Sequence, residues 1–175
     1  MARTSDESFW ATLEGVVTGE SEKKLSLLLI EDTLDDELLA IRALRRCGLS
    51  LEIRVARDGG EALRALGLDG SEPEGDAPPP CLVISDLKMP RLNGDQVLLR
   101  ARQDKRLQDV PFVIFSSSDE PADVERCLEF GASAYCRKPV AFDEYMECTA
   151  GIVRRWLGEA LSEEPDCVLA TSERE

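Results

Sequence analysis

Five short apolar runs set the limits on what this chain can become: LSLLLI at 25–30, LEIRVA at 51–56, CLVIS at 81–85, PFVIF at 111–115 and AYCR at 134–137. Runs of this length without long helical periodicity read as strands, and continuous ones such as LSLLLI suit strands buried on both faces. Between them lie segments with helical spacing. Leu38, Ile41 and Leu44 mark the first, which Thr33 or Asp32 can cap and Gly48 stops. Asp58-Gly59-Gly60 turns the chain into a short helix ending near Gly67. A third helix begins around Asn93-Gly94-Asp95, and a fourth covers Pro121 to Phe130 and closes at Gly131. The last runs from Phe142 to Leu161, with Tyr145, Cys148, Ile152 and Trp156 on one face. Strand and helix alternating five times predicts an α/β, doubly wound domain, a parallel sheet with helices on both sides. Leu68 to Pro80 (LDGSEPEGDAPPP) is acidic and rich in Gly and Pro, and is expected to be an exposed loop.

Composition narrows the function classes. The net charge is -14, from 35 acidic and 21 basic side chains, and such a field repels nucleic acid and anionic membrane. Neither is an expected partner. The absence of histidine excludes a histidine kinase, a phosphohistidine carrier and a Ser-His hydrolase. Six cysteines (Cys47, Cys81, Cys127, Cys136, Cys148, Cys167) form no CxxC pair and read as reduced thiols of a cytoplasmic protein. No run has signal-peptide or membrane-span length. The domain is expected over 25–162. Residues 1–24 carry Phe9, Trp10, Leu13, Val16 and Val17 at helical spacing, either a frayed tail or an amphipathic helix that docks on the domain or on a second chain. Residues 163–175 read as an acidic, disordered tail.

The chemistry is expected where strands end, because ligands of open parallel sheets bind outside the carboxyl ends of the strands. Strand one delivers Glu31 and Asp32, strand three Asp86, strand four Ser116, and strand five Lys138 before Pro139. Converging carboxylates repel one another unless a cation joins them, and Mg²⁺ takes one or two carboxylates while leaving places for water and phosphate oxygens. Lys138 is a compact charge suited to a phosphoryl oxygen, and Ser116 offers a donor to another.

Glu31-Asp32 after strand one, Asp86 in SDLKMPRLNG, Ser116 in VIFSSSDE and Lys138-Pro139 in AYCRKP together resemble the receiver domain of response regulators in two-component systems. Only the Pro-rich loop before strand three is longer than usual for such domains. The resemblance implies a flavodoxin-like (βα)5 fold with strand order 2-1-3-4-5. It implies that Asp86 is the nucleophile that takes a phosphoryl group from a kinase phosphohistidine. Asp32 would bind Mg²⁺, with Glu31 acting directly or through water, and the Lys88 carbonyl would complete the protein ligands. Ser116 and Tyr135 would form a switch, the tyrosine following the serine toward the phosphoryl group. The runs IEDTLDDELLAIRAL, VARDGGEAL and DEPADVERCLEFGASAYCRKPVAFDEY further resemble single-domain regulators that accompany bacterial phytochromes. That points to a sensor histidine kinase, of bacteriophytochrome type, as the phosphodonor.

Alternatives stand beside several assignments. Asp32 is also a helix-cap candidate, Ser117 competes with Ser116, and Tyr135 reads equally as core packing. The Lys88 side chain either flanks the phosphoryl site or is solvated. The segment after the last helix is too short for a DNA-binding module. The expected output is therefore docking to a downstream protein, homodimerisation through the last helix and residues 1–24, or passing phosphate onward as a phosphorelay intermediate or sink. An aspartyl phosphatase is disfavoured, because its second Asp would fall at Lys88.

Overall fold

The computed structural model describes residues 25–70 and 79–158. Its elements are β1 (Leu25–Ile30), α1 (Leu34–Arg46), β2 (Leu51–Ala56), α2 (Gly59–Ala65), β3 (Leu82–Ser85), α3 (Gly94–Gln103), β4 (Phe112–Ser116), α4 (Pro121–Glu129), β5 (Ala134–Arg137) and α5 (Phe142–Leu157). The strands form one parallel sheet in the order β2-β1-β3-β4-β5. This is the expected flavodoxin-like arrangement.

Alternation along the strands divides the core in two. Leu28 and Ile30 of β1, Val83 of β3, Phe112 and Ile114 of β4 and Tyr135 of β5 face one layer, where α2, α3 and α4 contribute Leu63, Leu98 and Cys127. Leu27, Leu29, Leu82, Ile84, Val113, Phe115 and Cys136 face the other, covered by Ala40 and Leu44 of α1 and by Tyr145, Cys148, Ile152 and Val153 of α5. Each inner strand is therefore apolar on both faces, which is why its sequence reads as a continuous run.

Helix ends follow local chemistry. Gly48 (φ 79°) and Gly131 (φ 91°) take the left-handed backbone that ends α1 and α4. Asp58 caps α2 by accepting from the Glu61 amide at 2.8 Å. Thr33 is the N-cap residue of α1, with no side-chain capping bond.

Two expectations need correction. Of the expected core face of α1, Leu44 is buried and Ile41 packs against the core, but Leu38 is 56% exposed and its place is taken by Glu37, Ala40 and Ala43. The small alanines let the helix lie close to the sheet, which rolls Leu34 and Leu38 outward. The last helix ends at Leu157 rather than Leu161, because Gly158 leaves helical geometry (φ -93°, ψ 129°). Tyr145 and Ile152, on the expected face of the last helix, are 2% and 3% exposed and belong to this chain's own core. Residues 1–24, most of the Pro-rich loop and 163–175 lie outside the described residues. Among those described, Cys47, Cys81, Cys127, Cys136 and Cys148 are unbridged, and no helix is long and apolar enough to cross a membrane.

Candidate functional site

β1, β3, β4 and β5 all end on one edge of the sheet, so the residue after each apolar run arrives at the same place. The Asp86 amide donates to the Ile30 carbonyl at 2.9 Å, tying the Asp86 loop to the end of β1. The Lys138 amide donates to the Ser116 carbonyl at 2.8 Å, tying the end of β5 to that of β4. Gly94 permits the tight return into α3: a Cβ there would lie 2.1 Å from the Asp86 carbonyl oxygen.

The Lys138 Nζ is the centre of the cluster. It donates to Glu31 Oε2 at 2.7 Å, to Asp36 Oδ2 at 2.8 Å and to Asp86 Oδ2 at 2.9 Å. The other Asp86 oxygen accepts from the Leu87 amide at 2.5 Å. Glu31, Asp32 and Asp86 each bring a carboxylate oxygen within 4.8 Å of the others. These hard oxygen donors suit a divalent cation of the Mg²⁺ or Mn²⁺ kind.

Electrostatics carry the mark of crowding. Burial raises the Glu31 carboxyl to about 7; Lys138 opposes that rise, while Asp86 and Asp36 add to it. For Lys138, burial works against the charge, but Asp86, Glu31 and Asp36 outweigh it and raise the ammonium above its ordinary range. The lysine is thus held charged although only 8% exposed.

Ser116 is 1% exposed at the end of β4, and its Oγ accepts from the Ser118 amide at 3.3 Å. Tyr135 is 4% exposed within the α2–α4 layer and donates its hydroxyl to the Ser118 carbonyl at 2.8 Å. It is both core packing and a tether of the serine loop. The Lys88 side chain is exposed and turns to the acids of α4 rather than to Glu31, Asp32 and Asp86. Its Nζ lies 3.3 Å from Asp123 Oδ2 and 3.9 Å from Glu120 Oε1 at the start of α4.

Sequence reasoning missed three features. Asp36, in the first turn of α1, joins Lys138. Glu37 is buried and held by Nε and Nη2 of Arg57, at 2.7 and 2.8 Å. Asp123 accepts from the Ser118 hydroxyl and from Arg126, each at 2.7 Å, and Arg126 also reaches Asp95 on α3 at 2.7 Å. The Ser118 hydrogen bond comes first in holding the Asp123 carboxyl below its usual range. The Glu37–Arg57 and Asp95–Arg126 partners are distant in sequence, and no local motif announces them.

Comparison with known proteins agrees with this geometry. The family model described as the response regulator receiver domain matches residues 27–150. The probable methanogenesis regulatory protein FilR2 of Methanothrix harundinacea is 31% identical over 79% of this chain and 88% of its own length. The chain spans only 62% of the two-component response regulator ORR4 of Oryza sativa, at 30% identity over 78% of this chain. Among solved structures, the phosphorylated cyanobacterial phytochrome response regulator RcpA is 27% identical with a TM-score of 0.72, over 85% of this chain and 99% of that one. The Mn²⁺-bound form of response regulator Rcp1 gives 27% and 0.69, over 78% and 96%. The bacteriophytochrome response regulator AtBRR gives 35% and 0.63, over 81% and 99%. With the expected fold and the strand-end cluster in place, the chain belongs to the response regulator receiver domain family of two-component signalling.

Proposed function

We propose that this receiver takes a phosphoryl group onto Asp86 from a phosphohistidine of a sensor histidine kinase, and that the aspartyl phosphate changes the surface it presents to a downstream protein. The observation that carries the reading is one buried ammonium, Lys138, shared by Asp86, Glu31 and Asp36 at the ends of three elements. A charged lysine so placed is a ready partner for phosphoryl oxygens.

In the step itself, a carboxylate oxygen of Asp86 attacks phosphorus, the N–P bond breaks, and its electron pair returns to the imidazole. Lys138 moves onto a phosphoryl oxygen and offsets the transferred charge. Glu31 and Asp32, with Asp86 and the Lys88 carbonyl, would hold Mg²⁺, which supplies positive charge against the phosphoryl oxygens. Manganese in the related Rcp1 structure supports a divalent ion here. Ser116 then donates to a phosphoryl oxygen. Because its Oγ bonds the Ser118 amide and Tyr135 bonds the Ser118 carbonyl, the serine loop and the tyrosine shift together.

The kinship with phytochrome response regulators supports a light-sensing kinase of the bacteriophytochrome type as the phosphodonor. We also propose a homodimer. With Tyr145 and Ile152 committed to the core, the half-buried Trp156 and Leu157 at the end of α5 remain for it, with residues 1–24. Light scattering should show a dimer that loses stability when residues 1–20 are deleted; a monomer with and without beryllofluoride sinks the idea.

Acetyl phosphate with Mg²⁺ tests the central reading. Mass spectrometry should place one phosphoryl group on Asp86, and Asp86→Asn, nearly isosteric, should abolish labelling with the fold intact. Unchanged labelling of that variant refutes the assignment.

A further inference from the structure

Two groups beside Lys138 have no part in the chemistry above. Asp36, in the first turn of α1, accepts from Nζ at 2.8 Å. Tyr145, one turn into α5, is 2% exposed, and its ring centroid lies 5.1 Å from that of Phe115, the residue before Ser116. Its hydroxyl is buried without a hydrogen-bond partner. Burial raises the hydroxyl's pKa above its ordinary range, and the charges of Lys138, Asp36, Glu31 and Asp86 also act on it. A buried hydroxyl with no partner bears its whole desolvation cost, which a phenylalanine would avoid with the same ring packing. The arrangement makes physical sense if the hydroxyl finds an acceptor when the site is occupied.

Lys138 supplies the occasion. An ammonium has three donors, and all three are taken by Glu31, Asp36 and Asp86. When a phosphoryl oxygen claims one, a carboxylate must release it. The side chain of Asp36 is 37% exposed, against 3% for Glu31 and 12% for Asp86, and Asp36 lies outside the Glu31, Asp32 and Asp86 triad. It is the acceptor most easily freed.

We propose that Asp36 and Tyr145 are positioning residues for Lys138: Asp36 tethers the ammonium in the resting site, and the Tyr145 hydroxyl donates to Asp36 once a phosphoryl oxygen has taken its place. This rests on the phosphoacceptor reading and adds a handover between two helices, α1 and α5, that already pack in one layer with Ala40 and Cys148.

The chain has two tyrosines, Tyr135 and Tyr145, so uniform 3-fluorotyrosine labelling gives two ¹⁹F resonances that Tyr→Phe variants assign. Beryllofluoride with Mg²⁺ is the probe. The Tyr145 resonance should shift on saturation and should fail to do so in Asp36→Ala. Tyr145→Phe should melt no lower than the parent without ligand, yet bind beryllofluoride more weakly by about tenfold or more, as loss of one hydrogen bond to a charged group predicts. In the Asp36→Ala background the same substitution should change affinity no further. A Tyr145 shift equal in parent and Asp36→Ala, or equal beryllofluoride affinity of parent and Tyr145→Phe, overturns the handover while the phosphoacceptor reading stands. Failure of the parent to bind beryllofluoride at all overturns both.

Discussion

Replacing Asp32 by Asn tests the carboxylate cluster through stability rather than activity. Its carboxylate lies within 4.8 Å of those of Glu31 and Asp86. At that separation two unit charges repel by about 3.5 kcal/mol at an effective dielectric constant of about 20. Three effects cut the figure: Asp32 is partly exposed, Glu31 holds a proton for part of the time near neutral pH, and Lys138 already offsets Asp86. A net relief of about 1–2 kcal/mol is a fair expectation after solvent screening. For a domain of this size that corresponds to a melting temperature about 2–8 °C higher. Calorimetry in chelator should show the increase. In millimolar Mg²⁺ the order should invert, because the wild type gains ligand stabilisation that the variant has largely lost. Lower stability of Asp32→Asn in chelator, or equal stabilisation of both proteins by Mg²⁺, would refute the reasoning.

Metal affinity should depend on pH, because cation and proton compete for Glu31. Its carboxyl is raised from 4.5 to about 7, so Mg²⁺ affinity measured by calorimetry should climb through pH 7 and level off above it. The sign for stability is the reverse. The folded state keeps a proton that the unfolded chain loses, so Glu31's contribution without metal falls as pH rises from 4.5 to 7, and Glu31→Gln should flatten that part of the profile. Gly94→Ala would bring a Cβ to 2.1 Å from the Asp86 carbonyl oxygen. Backbone must shift, so the variant should lose about 1–3 kcal/mol in a urea melt, and a neutral result would contradict the packing described.

Much of the architecture was legible because a strand buried on both faces must be apolar throughout. Leu25 to Ile30 and the runs ending at Ser85, Phe115 and Arg137 declared themselves in this way, and the polar residues after them could only fall at the carboxyl edge. Glu31, Asp32, Asp86, Ser116 and Lys138 are therefore legible in the sequence as strand-end residues. The roll of α1 was not legible. Its sequence has Leu34 and Leu38 available for a core face, yet packing against the sheet chose Ala40, Ala43 and Leu44, and that choice turned Asp36 rather than Asp35 toward Lys138. Similarly, nothing local to Asp95 foretells its link to Arg126 on α4, thirty-one positions away, nor does Glu37 announce Arg57, twenty positions away. Strand patterns are legible because burial on two faces leaves few residue types to choose from. Helix rotation and long-range polar pairing depend on how closely whole layers approach, which only the tertiary structure decides.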